Sequence, residues 1–261
     1  MLELIFQKIV NFFGIHRFFQ ILNEGDDHQF LTYHGITSII APITPLLMAC
    51  EFILGLVYKK TQTKICQVLF LIDVFNRIVG RFIAIAMVTI CIGLLEPWAI
   101  INTSNTWYWF IYSYIIWELG HFIDHYLGHK VHLFWRLHAT HHTPKGMTLF
   151  VSHAHFFLEA PYADLIRITI CVLLGVDSTV LLIIMFMDGT YRTLIHVEKN
   201  LIKDARFGFL NKIMLAPSHY RVHHAKNLLY IDTNCCNLLN IEDKLFGTHQ
   251  DKKKMLPLNM A

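Results

Sequence analysis

Thirteen of the chain's 17 histidines fall between His121 and His224, and most of them stand at regular spacings. The run Glu118-Leu-Gly-His121-Phe-Ile-Asp-His125-Tyr-Leu-Gly-His129 repeats histidine every four residues. On a helix that interval stacks side chains on one face, so two imidazoles reach a common metal. His138-Ala-Thr-His141-His142 follows, then His219-Tyr-Arg-Val-His223-His224, with His196 alone between them. A single histidine on an apolar helix is ordinarily a hydrogen-bonded core side chain. Eight or more at ligand spacing point to a shared metal centre, because neutral imidazoles in apolar surroundings need partners. The count exceeds the four ligands that a single zinc ion takes, which argues for two metals. HExxH does not occur, so a zinc peptidase has no support. Imidazole suits zinc, copper, iron and nickel alike, and spacing does not choose among them.

The elements that carry these residues read as membrane helices. Apolar residues make up 54% of the 261-residue chain and charged residues 16%, against roughly 25% in a soluble domain. Mean hydropathy is +0.44. The net charge of +3, with scattered basic residues, excludes nucleic acid as a partner. Four regions approach or exceed the roughly 20 residues needed to span a bilayer: Ile36 to Tyr58, Ile65 to Leu95, Thr106 to Leu119 and Leu165 to Met187. The second is overlong and carries Asp73, Arg77 and Arg81. The fourth holds Gly175-Val-Asp177 at its centre, which suits a re-entrant hairpin as well as a span. Lys59, Lys60 and Lys64, then Lys130, Arg136 and Lys145, then the basic residues after 188 put the histidine-rich parts on the cytosolic side, provided the fourth region returns as a hairpin. Residues 1–34 read as an interfacial amphipathic segment without a cleavable signal. The six cysteines, without CxxC, read as buried reduced thiols. The expected fold is all-α: one integral-membrane helical bundle over residues 1–261 with a cytosolic histidine-rich helical cap.

These motifs resemble the fatty acid hydroxylase/sterol desaturase superfamily, whose members carry HxxxH, HxxHH and a later HxxHH on a membrane scaffold. His125-Tyr-Leu-Gly-His129 matches the first box and His138-Ala-Thr-His141-His142 the second, with Trp135 just before it. The tail, Ile231-Asp232-Thr-Asn234 and then Asn240-Ile-Glu-Asp243-Lys-Leu-Phe246-Gly247-Thr248, is similar to the alkylglycerol monooxygenase branch. The resemblance covers residues 105–250. Three positions depart from the family pattern. Tyr220 stands where the third box has its first histidine, with His219 one residue earlier; Glu242 replaces a tryptophan; Cys235 and Cys236 replace tyrosine and glycine.

The resemblance implies a non-haem di-iron centre, two iron ions using dioxygen to hydroxylate or desaturate a sterol, fatty acyl or ether-lipid C–H bond. Its implied ligands are His125, His129, His138, His141, His142, His196, His223 and His224, with either His219 or Tyr220 completing the third box, and no catalytic residue beyond the ligands. Electrons must arrive from outside, from a cytochrome b5-like protein, a ferredoxin or a reduced pterin, since the chain lacks GxGxxG, haem and iron–sulfur motifs. The implied membrane is the endoplasmic reticulum in a eukaryote or the inner membrane in a bacterium. An inactive member that binds lipid or metal is the alternative, motivated by Tyr220. A transporter would place ionisable residues at mid-depth in several spans, and a bis-histidine haem protein needs one facing pair; neither fits three clusters flanking the spans.

Among the remaining candidates, His121 is a ligand or a partner of His125, and His132 reads as structural. His153 and His155 read as hydrogen-bonded side chains or cavity wall. Glu118, Asp124, Glu159 and Asp232 are candidates to orient imidazoles. Trp107-Tyr-Trp-Phe110 reads as an interfacial aromatic belt.

Overall fold

The computed structural model describes residues 15–58, 63–199, 201–203 and 205–252, together with Glu3, Gln7 and Val10. Among these the regular elements are helical: α1 His16–Glu24, α2 Tyr33–Ile40, α3 Ile43–Val57, α4 Thr63–Ile78, α5 Gly80–Leu95, α6 Trp107–Lys130, α7 His132–His138, α8 Glu159–Leu173, α9 Ser178–Ile195, α10 Pro217–His223 and α11 Ile241–Leu245. A single isolated β-bridge, Met214 to Leu239, accompanies them. Most of residues 1–14 of the expected interfacial segment, and the basic pair Lys59 and Lys60, lie outside the described residues.

Among the described residues, two stretches are long and apolar enough to cross a membrane by length and composition: His34–Val57 and Ser178–Ile195. The overlong region Ile65 to Leu95 is two helices, α4 and α5, broken at Val79, just before Gly80. A Cβ on Gly80 would lie 3.0 Å from the backbone oxygen of Phe157, so the break is also a point of close backbone approach. Both helices expose large apolar side chains, among them Leu71, Phe82, Ile85 and Leu94. Apolar surface left outward over several turns is unusual for a protein facing water.

The fourth region is two helices joined by a short turn at residues 174–177. Helix α8 ends at Leu173, and Asp177 caps α9 by accepting from the N–H groups of Thr179 and Val180, both at 3.0 Å. The turn needs glycine: Gly175 has φ +73°, and an added Cβ would sit 1.7 Å from the carbonyl oxygen of Ile101. The loop before α6 is pinned to this tip, with Ile100 N–H donating to Leu173, Thr103 N–H to Gly175, and the Thr103 hydroxyl accepting from Asp177 N–H.

Helices α5, α6, α8 and α9 enclose an apolar core of Cys91, Trp117, Ile168, Cys171, Val180 and Ile184. Burying such side chains stabilises the bundle by roughly 1.5–3 kcal/mol each where the alternative is water. A buried carboxylate ties α3 in as well. Glu51 accepts from the N–H of Leu149 at 2.6 Å and of Glu198 at 2.9 Å, fastening the first long helix to the segments that flank the histidines. All six cysteines are free thiols.

Candidate metal centre

Helix α6 carries His121, His125 and His129 on one face, as four-residue spacing requires, and α7 turns back so that His138 meets them. His141 and His142 follow in the turn after α7, His196 caps the end of α9, and His223 and His224 close α10. Eight histidines thereby converge in two adjoining groups. His125, His129, His138, His142 and His223 form one and His141, His196 and His224 the other, each offering ring nitrogens within 4.8 Å of one another. The groups touch where the rings of His142 and His224 stack at 4.4 Å. The paired dipeptides explain the division. Neighbours in a helical turn point about 100° apart, so His141 and His142, like His223 and His224, serve different groups.

The ring orientations favour lone pairs facing inward. His125 Nδ1 lies 2.8 Å from the carbonyl oxygen of Cys235, His223 Nδ1 2.7 Å from that of Thr233, and His196 Nδ1 2.6 Å from that of Arg192. His138 Nδ1 sits 2.7 Å from Glu159, and His129 Nδ1 3.3 Å from Asp232. Each Nδ1–H donates outward to an oxygen, so Nε2 carries the lone pair. The Nε2 atoms of His125, His129, His223 and His224 are buried without a hydrogen-bond partner, while His138 and His142 bring Nε2 atoms to 3.0 Å and His141 and His196 to 3.3 Å. Buried polar atoms that face one another unpaired are costly unless something bridges them. The donor set therefore fits transition-metal ions. Burial, ahead of repulsion from neighbouring rings, holds His125, His141, His142, His223 and His224 well below the ordinary imidazole range. It pushes His129 down to about 4 and His196 to about 3. These rings are neutral at physiological pH, the state that binds metal.

His219 does not join them. Its Nδ1 accepts from Ala216 N–H at 3.0 Å and its Nε2 faces Asp251 at 2.9 Å, in a separate cluster with His249. Tyr220 points the other way. It is buried, with its ring 4.5 Å from that of His196 and 5.2 Å from that of His224. His121 is buried 5.4 Å ring to ring from His125 but belongs to neither group. His132 is exposed at the start of α7. His155 stacks on His141 at 4.6 Å and is held by Glu159 and by the Ser152 carbonyl, and His153 faces Asp73.

Of the four candidate orienting carboxylates, two contact histidines of the groups. Glu159 bridges His138 and His155, and against its burial these rings hold its carboxyl down to about 2. Asp232 is held at about 2 by the hydrogen bond from His129 and by Lys130. Glu118 instead accepts from the N–H groups of Leu238 and Leu239, and Asp124 pairs with Arg167 at 2.6 Å. The aromatic run opens α6 with Trp107 and Tyr108 exposed.

Sequence reasoning missed the backbone's part. The carbonyls of Thr233 and Cys235 orient two rings, and the tail motif positions that loop. Asp243 accepts from the N–H groups of Cys235 and Cys236 at 2.8 and 3.0 Å and from the Thr248 hydroxyl at 2.6 Å. Asn234 donates to the carbonyls of His219 and Gln250. Asp232 and Asn234 adopt φ of 58° and 55°, a left-handed conformation that aspartate and asparagine tolerate better than other side chains.

The sequence comparisons place this helical, polyhistidine arrangement in a family. The profile of the Fatty acid hydroxylase family matches residues 110–248, and the chain belongs to that family. Within it the chain is similar to the alkylglycerol monooxygenase branch. It is 27% identical over 237 residues to alkylglycerol monooxygenase of Homo sapiens, covering 87% of this chain and 51% of that protein. It is 30% identical over 152 residues to that of Danio rerio, 58% of this chain and 31% of that protein. Ornithine lipid hydroxylase OlsE of Rhizobium tropici is 30% identical over 134 residues, 51% of this chain and 39% of that protein. The chain spans about half the length, or less, of the curated relatives it matches. No solved structure matches it.

Proposed function

We propose that this chain is a membrane-bound, di-iron, dioxygen-dependent lipid hydroxylase. The observation that carries the reading is the convergence of eight buried histidines into two adjoining groups with Nε2 atoms turned inward. His125, His129, His138, His142 and His223 would hold one iron, and His141, His196 and His224 the other. Iron at such a site supplies the oxidising power for an unactivated C–H bond, with electrons from an external donor protein or a reduced pterin. The protein's residues do the rest. Glu159, Asp232 and the carbonyls of Thr233, Cys235 and Arg192 fix the imidazole tautomers.

The relatives named for an alkylglycerol and an ornithine lipid support a lipid with a polar head as substrate, in preference to a sterol. The outward apolar faces of α4 and α5 and the two membrane-length stretches support integration in the bilayer. The placement of Lys and Arg supports a cytosolic histidine cap. Cysteines introduced at 145 and 212 would then be shielded from a membrane-impermeant reagent outside the cell, while one at 102 reacts.

Purified protein should contain about two transition-metal ions per chain, and His141→Ala should lower that number. Cells with and without the protein should differ in hydroxylated lipid. A metal-free protein with intact fold and activity would refute the proposal. Tyr220 favours a second reading, a member that binds lipid and metal without turnover; two bound metals and no lipid product would select it.

A further inference from the structure

The segments that follow the last long helix carry large apolar side chains on their outside, and these are gathered together. Phe207, Phe209 and Ile213 stand on or beside the turn Gly208–Lys212, and Ile241, Leu245 and Phe246 on or just after α11. Phe209 is 79% exposed and Leu245 75%. Backbone pairing makes the two segments one surface. Leu215 N–H donates to the Leu238 carbonyl at 2.8 Å and Asn240 N–H to that of Ile213 at 3.1 Å. The Asn240 side-chain amide donates to the Asn211 carbonyl at 2.9 Å, and Lys244 to that of Lys212. An exposed apolar patch of this kind marks a contact face.

The patch continues the outward side of α6. The ring of Phe246 stacks on that of Phe122 at 5.1 Å. Ile111, Ile115 and Phe122 stand four and seven residues apart on one face of α6, and Ile111 and Ile115 are exposed. Depth follows from helix rise. Phe122 lies fifteen residues after Trp107, the exposed aromatic that opens α6, about 22 Å along the axis. A hydrocarbon core is about 30 Å thick, so with Trp107 at one interface Phe246 packs on α6 at the depth of the opposite leaflet. Lys130 ends the helix eight residues beyond Phe122, about 12 Å further out.

The charges select the kind of surface. Across residues 205–215 and 238–248 the exposed charged side chains are Arg206, Lys212 and Lys244, while the two carboxylates, Glu242 and Asp243, are buried. An apolar face rimmed by cations suits the boundary of an anionic leaflet, where apolar side chains enter the acyl region and lysines stay with the headgroups. An acidic protein would complement the cations as well, but it would not account for the continuity with the outward face of α6.

We propose that this face is seated in the leaflet on the side of the histidine groups. Phe209, Ile213, Ile241, Leu245 and Phe246 enter the acyl boundary, and Arg206, Lys212 and Lys244 contact anionic headgroups. The inference rests on the reading of the chain as bilayer-integrated and adds a second, charge-selective lipid contact outside the long helices. The seat also sets the depth of the histidine groups, since His125 follows Phe122 by three residues, about 4.5 Å of rise.

The test is depth measurement on the full-length protein reconstituted in phosphatidylcholine vesicles that contain lipid brominated on the acyl chain. Cys50 is the exposed native thiol, so Cys50→Ala is the background for a bimane fluorophore attached in turn to Phe209→Cys, Ile213→Cys, Leu245→Cys, Ile85→Cys and His132→Cys. Ile85 lies on the outward face of α5, and His132 lies past the end of α6. Positions 209, 213 and 245 should be quenched at least about half as strongly as 85, as for side chains about 5–10 Å into the interface, and 132 should not be quenched. Brominated phosphatidylserine should quench 213 at least about twofold more than brominated phosphatidylcholine at equal mole fraction. In Lys212→Gln/Lys244→Gln that preference should disappear while quenching by phosphatidylcholine remains. Quenching at 85 with none at 209, 213 and 245 would overturn the proposal, leaving the face to a protein partner and bilayer integration intact. Equal quenching at 132 and 245, or by the two lipids at 213, would overturn it too. No quenching at any position, 85 included, would refute bilayer integration itself.

Discussion

Glu159→Gln separates the two histidine groups experimentally. Glu159 accepts from His138 at 2.7 Å and lies 2.9 Å from His155 Nδ1, and it is itself buried. A carboxylate can only accept, so it forces the proton onto Nδ1 of His138 and leaves Nε2 free toward His142, 3.0 Å away. Glutamine has a donor arm as well. When that arm faces Nδ1, the His138 proton moves to Nε2 and blocks a ligand position of the five-histidine group. Loss of such an orienting partner typically weakens metal affinity ten- to a hundredfold, equivalent to about 1.4–2.7 kcal/mol. The effect should fall on one ion, because no ring of the three-histidine group bonds to Glu159 and His141 meets it only through the stacked ring of His155. Competition with a graded series of chelators, read by elemental analysis, should therefore show one of two metals released at tenfold or more lower chelator strength. Release of both metals together, or of neither, would refute the argument that Glu159 acts through the tautomer of His138.

Acid should unfold the metal-free protein well before neutral-buried groups elsewhere matter. His129 and His196 titrate near 4 and 3 in the fold against 6.5 unfolded, so the unfolded chain binds more protons and stability falls as pH drops from about 6.5 toward 4. At pH 5 the two together cost about 4 kcal/mol, a large part of a typical folding free energy, and melts in detergent from pH 7 to 5 should show the midpoint falling steadily. A flat profile would mean the rings are not buried neutral. Gly175→Ala should destabilise by at least about 2 kcal/mol, from the left-handed backbone and the collision with Ile101, measured as a lower melting temperature. Tyr220→Phe should leave two metals bound, since the three histidines His141, His196 and His224 converge without the phenol oxygen. Tyr220→His should tighten metal binding at the three-histidine group, and loss of a metal in Tyr220→Phe would show instead that the phenol oxygen is a ligand.

Much of this arrangement is visible in local spacing. His125 and His129 converge because four residues make about one helical turn, and Gly175-Val-Asp177 turns because it combines a left-handed glycine with an N-capping aspartate. The break between α4 and α5 was not legible, and the close approach of Phe157 to Gly80 beside it comes from 77 residues away. His219 reaching the metal required the third box to begin outside regular helix. Helix α10 begins at Pro217, ahead of His219, so the roughly 100° between successive residues turns His219 toward Asp251 and Tyr220 toward His196. Glu118 and Asp124 looked equivalent to Glu159 and Asp232 in sequence. Which carboxylate meets an imidazole depends on contacts such as His138 to Glu159, 21 residues apart, that spacing within one helix does not encode.

The tail motif gains a physical meaning from the same geometry. Its aspartates and asparagine lie among the histidines' supports, yet only Asp232 touches a ring. Asp243 instead gathers the N–H groups of Cys235 and Cys236, Asn234 stitches the loop to α10 and to Gln250, and Glu118 clamps Leu238 and Leu239 onto α6. All three buried side chains fix a loop whose function resides in two carbonyl oxygens, those of Thr233 and Cys235. Because a carbonyl is present whatever the side chain, the departure from tyrosine and glycine to Cys235 and Cys236 leaves the contact to His125 intact. Two of the side chains that hold the loop, Asn234 and Asp243, match the family motif, while the contact to His125 comes from a carbonyl at a position that departs from it. This division explains how a chain can depart from the family at 235 and 236 while its eight histidines still converge.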